Sequence, residues 1–393
     1  MKKYLIIITL LFSFTACGVN DYNSIIHATI SKDPSAAFGV LAQKKSVEYA
    51  ANPKKLSRDL KYLDKNILGA LMELIKGASK NWGEDNVKVP KKKEYVKYMQ
   101  NYKSRALVDF DKGTITVETL DDNNSKESLK NAIVTTLLLP DDPRSADLFG
   151  AKKIKLGETP YLLGEVVDDQ KKIIRYSWRA TRYANILLEK SYKVKSITKD
   201  KKDVKVHYVT FDMVKDHADV RVKKFKPYVQ KYAKQYKVSE NLVYAIIKTE
   251  SNFNQYAVSN AGAFGLMQIV PSSGGRDAYK LVKKSDTPPT KNYLFNAQNN
   301  IELGVAYIHI LGERYLPGII NPITKEYCVI SAYNTGSGNV LRTFNKNRTK
   351  AKEEINAQTP STIYKKLRTD LPYEETRRYL KKVVEYKKDF VNL

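Results

Sequence analysis

The sequence predicts an α+β chain in two parts: an N-terminal α+β domain with an antiparallel sheet over 51–213, then an all-α domain over 214–393. Three observations predict it. Apolar residues alternate with period two only before residue 214, and from Asp216 onward they recur only at helical spacing. A length of 393 residues with 42% hydrophobic residues suits two cores. With 28% charged and 10% aromatic residues, the composition excludes both a disordered chain and a polytopic membrane protein.

The elements follow in chain order. Leu56, Leu60, Leu63, Ile67, Leu71 and Leu74 recur at steps of three and four and predict one long amphipathic helix. Arg105–Phe110 and Thr114–Glu118 alternate about a turn at Asp111-Lys112-Gly113, as a hairpin does. Leu129, Ala132, Ile133 and Leu137 share one helix face that stops at Pro140. Two strands are expected on either side of Asp168-Asp169-Gln170, a helix over about 180–190, and a strand from Val204 to Met213. In the second part, a lysine-rich helix runs from Val220 to Tyr236, kinked or restarted at Pro227. Ser239 caps the next helix, and further helices are broken at Gly262, Gly265, Pro271, Pro288-Pro289, Pro317-Gly318 and Pro360.

The first sixteen residues read as a secretory signal, two lysines followed by an apolar run from Tyr4 to Phe14. That run of 11 residues is short of the roughly 17–25 that a spanning helix needs. Phe14-Thr15-Ala16 before Cys17 resembles a bacterial lipobox, so Cys17 is the expected lipidation site and 17–50 a tether. The alternative is a plain signal peptide cut near Ala16. The expected location is the cell envelope, lipid-anchored at the inner leaflet of the outer membrane and facing the periplasm. Cys328 is the other cysteine, so a lipidated Cys17 leaves no intramolecular disulfide, and Cys328 reads as a buried small hydrophobe. Four histidines and two cysteines, none at metal-ligand spacing, give no expectation of a metal or cofactor.

A formal charge of +26 suits a polyanion. An exported chain does not normally meet nucleic acid, so envelope carboxylates and lipid head groups are the expected counter-charges; a merely solvated lysine-rich surface fits equally. The 27 tyrosines suggest surfaces that use a flat ring and a hydroxyl together, as in a carbohydrate groove.

The chemistry is expected at Glu250, near the end of the Ser239 helix. There a carboxylate meets the negative end of the helix dipole, and Ile246, Phe253 and Met267 are placed to exclude water. Both effects favour the neutral acid, which is what protonating a glycosidic oxygen requires. The glycines let the chain turn back so that Gln268, eighteen residues on, comes near that carboxyl.

Glu250-Ser251, Gly265-Leu266-Met267-Gln268, Ala332-Tyr333-Asn334 and Glu375-Thr376-Arg377-Arg378-Tyr379 occur in that order. This set resembles the Slt-type lytic transglycosylases, with their goose-lysozyme-like fold, over about 220–390. Asn300–Tyr307 is similar to the family segment between the second and third motifs, and 93–98, 109–119 and 138–148 look like segments of membrane-bound members. The resemblance implies that Glu250 is the single acid and base. It protonates the oxygen leaving N-acetylmuramic acid, then takes the proton from that sugar's 6-hydroxyl as it attacks the anomeric carbon. The product is a 1,6-anhydromuramoyl end formed without water, and the expected enzyme is a peptidoglycan exotransglycosylase, with endo-cleavage left open. A substrate acetamido oxygen can replace the second carboxylate that most glycosidases need. Ser259, Met267 and Gln268 are implied to contact substrate or orient the acid. Asn334 is implied to bind or orient substrate, Tyr333 stands near the carboxyl, and Glu375 and Tyr379 close the far side of the groove.

Gln255 replaces a frequent proline and Asn296 a frequent aspartate, which implies a looser loop after the catalytic helix. Two other readings fit the same half. A lysozyme-type hydrolase would use Asp277 or Asp286 as a water-activating base, and a non-catalytic envelope-binding lipoprotein would keep the groove without chemistry. The N-terminal domain suits a tether, a second glycan surface or a platform for other cell-wall enzymes.

Overall fold

In the computed structural model the described residues are 69–141, 150–151, 154, 156, 159–259 and 262–391. The leader with Cys17, the tether, the helix positions Leu56, Leu60, Leu63 and Ile67, and residues 142–148 of the resembling segment lie outside them. The described chain divides into two compact units. One takes in the residues up to Lys224 together with Asn252–Gly265 and Thr290–Asn296; the other comprises Phe225–Ser251, Leu266–Pro289 and Ala297–Leu393. Among the described residues no helix is long and apolar enough to cross a membrane.

The first unit is built on a five-stranded antiparallel sheet of order β1-β2-β3-β5-β4, with β1 Glu94–Met99, β2 Ser104–Asp109, β3 Thr114–Thr119, β4 Lys193–Lys199 and β5 Lys202–Asp212. The expected hairpin is β2–β3, pairing Val108 with Ile115 and Ala106 with Val117, and its turn uses Gly113 at φ 66°. Helix α1 (Gly69–Trp82) precedes the sheet, while α2 (Ser125–Leu137) and α3 (Ser177–Lys190) pack together and onto it. Leu129, Ala132, Ile133 and Leu137 of α2 are buried as their spacing requires.

The strands expected around Asp168-Asp169-Gln170 shrink to a single bridge between Val167 and Ile173. Their backbone is organised instead by the Asp168 carboxylate, which accepts from the Gln170 and Lys172 amides at 3.0 and 2.8 Å. The tyrosines also depart from expectation, because many serve the core. Tyr95, Phe110, Tyr161, Tyr256, Phe264 and Phe295 form a chain of ring contacts with centroids 4.8–6.1 Å apart. Two of the hydroxyls find buried acceptors, Tyr256 donating to the Asp141 carbonyl at 2.9 Å and Tyr161 to the Asn254 side chain at 3.0 Å, while that of Tyr95 is buried without one.

Asn252–Gly265, the stretch that follows Glu250, is folded into this unit by many bonds. Asn252 donates to the Phe110 carbonyl at 2.9 Å and Asn254 to that of Lys92 at 3.2 Å. Gln255 donates to the Asp141 carbonyl at 3.0 Å, so the loop expected to be looser is tied down by the very residue that replaces proline. Arg221 donates to the Asn252 carbonyl at 2.9 Å and pairs with Glu165 at 3.0 Å.

Helix α4 (His217–Tyr236) is continuous through Pro227 and runs from the first unit into the second. The second unit is helical throughout. It holds α5 (Glu240–Ser251), α6 (Gly274–Lys283), α8 (Ala297–Ile310), α9 (Pro322–Thr335), α10 (Ser337–Arg342), α11 (Arg348–Asn356), α12 (Pro360–Thr369) and α13 (Glu374–Tyr386), the short α7 (Lys291–Phe295) belonging mainly to the first. Asn321, Asn347 and Thr359 cap α9, α11 and α12 through their side chains, and proline occupies the first turn of α9 and α12. Cys328 is fully buried in α9, and burial pushes its thiol up to about 12.

A cross-strand ion pair is buried in the sheet. Arg105 donates to Glu118 at 2.6 Å beneath the Trp82 ring, and Lys195 reaches the other carboxylate oxygen at 2.5 Å. Burial raises the Glu118 pKa, yet Arg105 and then Lys195 outweigh it and hold the carboxyl below its usual range. A depressed folded pKa means that the pair's stabilisation is complete above the unfolded value of about 4.3 and is lost as pH falls through the folded one. Glu118→Gln, which strands Arg105, is expected to cost about 3–5 kcal/mol at neutral pH. In urea unfolding followed by circular dichroism, its stability should also change less than the parent's between pH 6 and pH 3.

Candidate active site

Helix α5 ends because Asn252 and Phe253 both adopt left-handed backbone, at φ 49° and 61°. Glu250 lies in its last turn and is only 6% exposed. The neighbouring Ser251 hydroxyl is buried and lies 3.1 Å from the Ile247 carbonyl and 2.7 Å from that of Leu266. The end of the Glu250 helix is thereby fixed to the second motif. Gln268, 7% exposed, is itself left-handed at φ 48°.

Met267, between them, is held on both sides of its backbone. Its N–H donates to the Asn300 side-chain oxygen at 2.8 Å, and its carbonyl accepts from the Tyr333 hydroxyl at 2.7 Å. Asn300 is fully buried on α8, one turn before Gly304. A Cβ at Gly304 would stand 2.2 Å from the Met267 sulfur, so glycine is what admits that side chain. The Tyr333 ring in turn packs against Tyr307 with centroids 5.5 Å apart.

The third and fourth motifs are bonded to one another. The Thr376 hydroxyl on α13 donates to the Asn334 side chain at 2.6 Å, just before Gly336, at φ 85°, ends α9. One helical turn beyond Glu375, the Tyr379 hydroxyl is buried without a hydrogen bond of ordinary geometry and stands beside the Glu250 carboxyl. Burial, then the charge of Glu250, then Tyr333, hold the Tyr379 phenol well above its usual pKa. Burial and then Glu250 do the same to Tyr333. Both phenols are therefore protonated donors at any physiological pH.

Glu250, Met267, Gln268, Tyr333, Asn334, Glu375 and Tyr379 all belong to the second unit. Ser259 belongs to the first unit, where its hydroxyl accepts from the Ala263 amide at 3.0 Å and its own amide donates to the Ala263 carbonyl at 3.0 Å, closing a tight turn. Three contributors lie in segments that the sequence reading singled out but were given no role there: Asn300, Gly304 and Thr376. The signal for the first two was an amide and a glycine one turn apart in an otherwise apolar helix face.

Comparison with known proteins gives the family. Residues 49–224 match the family described as the membrane-bound lytic murein transglycosylase C N-terminal domain, and residues 227–356 match the transglycosylase SLT domain. Membrane-bound lytic murein transglycosylase C of Yersinia pestis (strain Pestoides F) is 42% identical over 310 residues, 79% of this chain and 85% of the relative. The chain belongs to the membrane-bound lytic murein transglycosylase C family. The Yersinia pseudotuberculosis serotype O:1b (strain IP 31758) protein of this family matches to the same extent. Among solved structures, the 70 kDa soluble lytic transglycosylase SLT70 from Escherichia coli is 21% identical with a TM-score of 0.33, covering 43% of this chain and 24% of that one. As a member of the C family, the chain is a lytic transglycosylase.

Because Gly304 makes room for Met267, Gly304→Ala should displace the backbone that Tyr333 holds. The expected result is a stability loss of about 1–3 kcal/mol with a turnover loss larger than that loss explains, read by thermal unfolding beside turbidity assays on purified sacculi. Tyr379→Phe, which removes one donor beside Glu250, is expected to lower turnover about tenfold with little change in unfolding temperature.

Proposed function

We propose that this transglycosylase cleaves the β-1,4 bond between N-acetylmuramic acid and N-acetylglucosamine in murein, without water, through Glu250 alone. The observation that carries the proposal is a single carboxyl at 6% exposure at a helix end, with the Tyr379 phenol beside it. Glu250 first gives its proton to the leaving glycosidic oxygen. The resulting carboxylate, next to the Tyr379 hydroxyl, then accepts the proton of the muramoyl 6-hydroxyl as that oxygen closes on the anomeric carbon. One bond breaks, one forms, and the acid is regenerated with a 1,6-anhydro end as product. The substrate acetamido oxygen supplies the stabilisation that a second carboxylate provides elsewhere. The scheme draws on no metal or cofactor.

The carboxylates that a hydrolytic reading would recruit are otherwise engaged. Tyr315 donates to Asp277 at 2.7 Å, and Arg276 and Lys280 pair with Asp286 at 3.0 and 3.3 Å. Gln268, Asn334 and Glu375 are assigned to glycan contact, with Met267 orienting them. Cleavage from strand ends is the expected mode.

Residues 1–16 serve as the leader and Cys17 as the lipidated anchor to the inner leaflet of the outer membrane. Residues 17–50 form the tether, 51–213 the domain that engages the envelope or other cell-wall enzymes, and 214–393 the catalytic domain. The test of the site is Glu250→Gln. Its sacculus digestion should fall by about 10²–10⁴ with unfolding temperature unchanged, whereas digestion near the parent's rate would contradict the assignment of Glu250.

A further inference from the structure

The first unit displays one surface that the active-site reading leaves unused. Between Asp169 and Trp178 every residue except Ile174 is exposed. Ile173, Tyr176 and Trp178 are 57, 61 and 60% exposed, an unusual outlay of large apolar side chains within six residues. Lys171, Lys172 and Arg175 stand among them, and among the described residues none of the three has an ion-pair partner.

The surrounding chain holds this display rigid. Ile174 is buried and pins the segment to the unit. The Asp168 carboxylate, with its side chain fully buried, binds two amides of the turn and the guanidinium of Arg179. Asp169 is taken up by Arg182 at 2.7 and 3.0 Å. The local acids are therefore neutralised from behind, by α3, while the cations of the turn face solvent. Arg179 also lies over one face of the Trp178 ring at 4.4 Å.

We propose that Lys171–Trp178 is a membrane-interface contact that seats the first unit on an anionic phospholipid surface. Tryptophan and tyrosine favour the boundary between head groups and acyl chains, where a ring is desolvated and its polar edge stays wet. Ile173 adds an aliphatic side chain for the same depth, and three unpaired cations match lipid phosphates. A glycan site would instead require fixed amide and carboxylate partners for sugar hydroxyls, and the two carboxylates here are already bonded inward. The contact goes beyond the active-site reading and rests neither on Glu250 nor on a lipid at Cys17.

The chain provides its own reporter. It has two tryptophans, and Trp82 is fully buried, so a change at the lipid surface is read from Trp178. The full chain is mixed with phosphatidylglycerol vesicles whose acyl chains carry bromine. Trp178 emission is expected to shift to the blue and be quenched, and Trp178→Phe to abolish the response. Each cation near an anionic surface is worth about fivefold in affinity. The combined variant K171E/K172E/R175E should therefore raise the lipid concentration for half-quenching on the order of a hundredfold without altering Trp82 emission, and 0.5 M salt should act in the same direction. Unquenched Trp178 would overturn the proposal, as would quenching indifferent to charge reversal. A response of Trp178 to soluble muropeptides but not to vesicles would make the surface a glycan site instead.

Discussion

The backbone of Met267 is the constraint on which the candidate site depends. Asn300 holds its N–H, Tyr333 its carbonyl, and the gap left by Gly304 admits its side chain. Ser251 ties the Glu250 helix to the adjacent Leu266 carbonyl, so acid, second motif and third motif are set by a few buried bonds. Each such bond contributes only about 1 kcal/mol net, but a partner left unsatisfied in the interior costs about 1–3 kcal/mol. The arrangement is thus enforced less by attraction than by the penalty for any other. Burial and the Glu250 charge hold both the Tyr333 and the Tyr379 phenols protonated, the first bonded to the Met267 carbonyl and the second beside the carboxyl.

A second constraint acts immediately past the acid. Asn252–Gly265 belongs to the sheet unit, where Asn254 and Gln255 bury their side chains, Asn254 accepting from Tyr161 and from the Tyr256 amide while donating to Lys92. Neighbours in sequence, Glu250 and Ser259, therefore belong to different compact bodies. The N-terminal part of the chain takes part in building the loop that follows the acid, which gives a physical reason for the two parts to occur together.

The readable features were those where one face is buried and the other wet. The β2–β3 hairpin and α2 follow from periodicity, and the four ordered motifs drew attention to Glu250, Met267, Tyr333 and Tyr379. Strand β1 escaped because five of its six residues are buried, so no alternation exists, and even Lys97 is sequestered with its amine on the Gly150 carbonyl at 2.6 Å. Strand β4 escaped for the opposite reason: it is an edge strand, mostly exposed and lysine-rich. The bonds from Asn300 to Met267 and from Thr376 to Asn334 span 33 and 42 residues, and no local pattern records them. The tyrosines were misread because a phenol suits a core wherever a buried carbonyl awaits its hydroxyl, as the Asp141 carbonyl does for Tyr256.

The central claim is that the muramoyl 6-hydroxyl, and not water, attacks the anomeric carbon once Glu250 has protonated the leaving oxygen. Digestion of purified sacculi in ¹⁸O-labelled water, with mass spectrometry of the released muropeptides, addresses it directly. The account predicts 1,6-anhydromuramoyl ends carrying no label. Reducing ends bearing one ¹⁸O would contradict it and turn the search toward a second carboxylate that activates water.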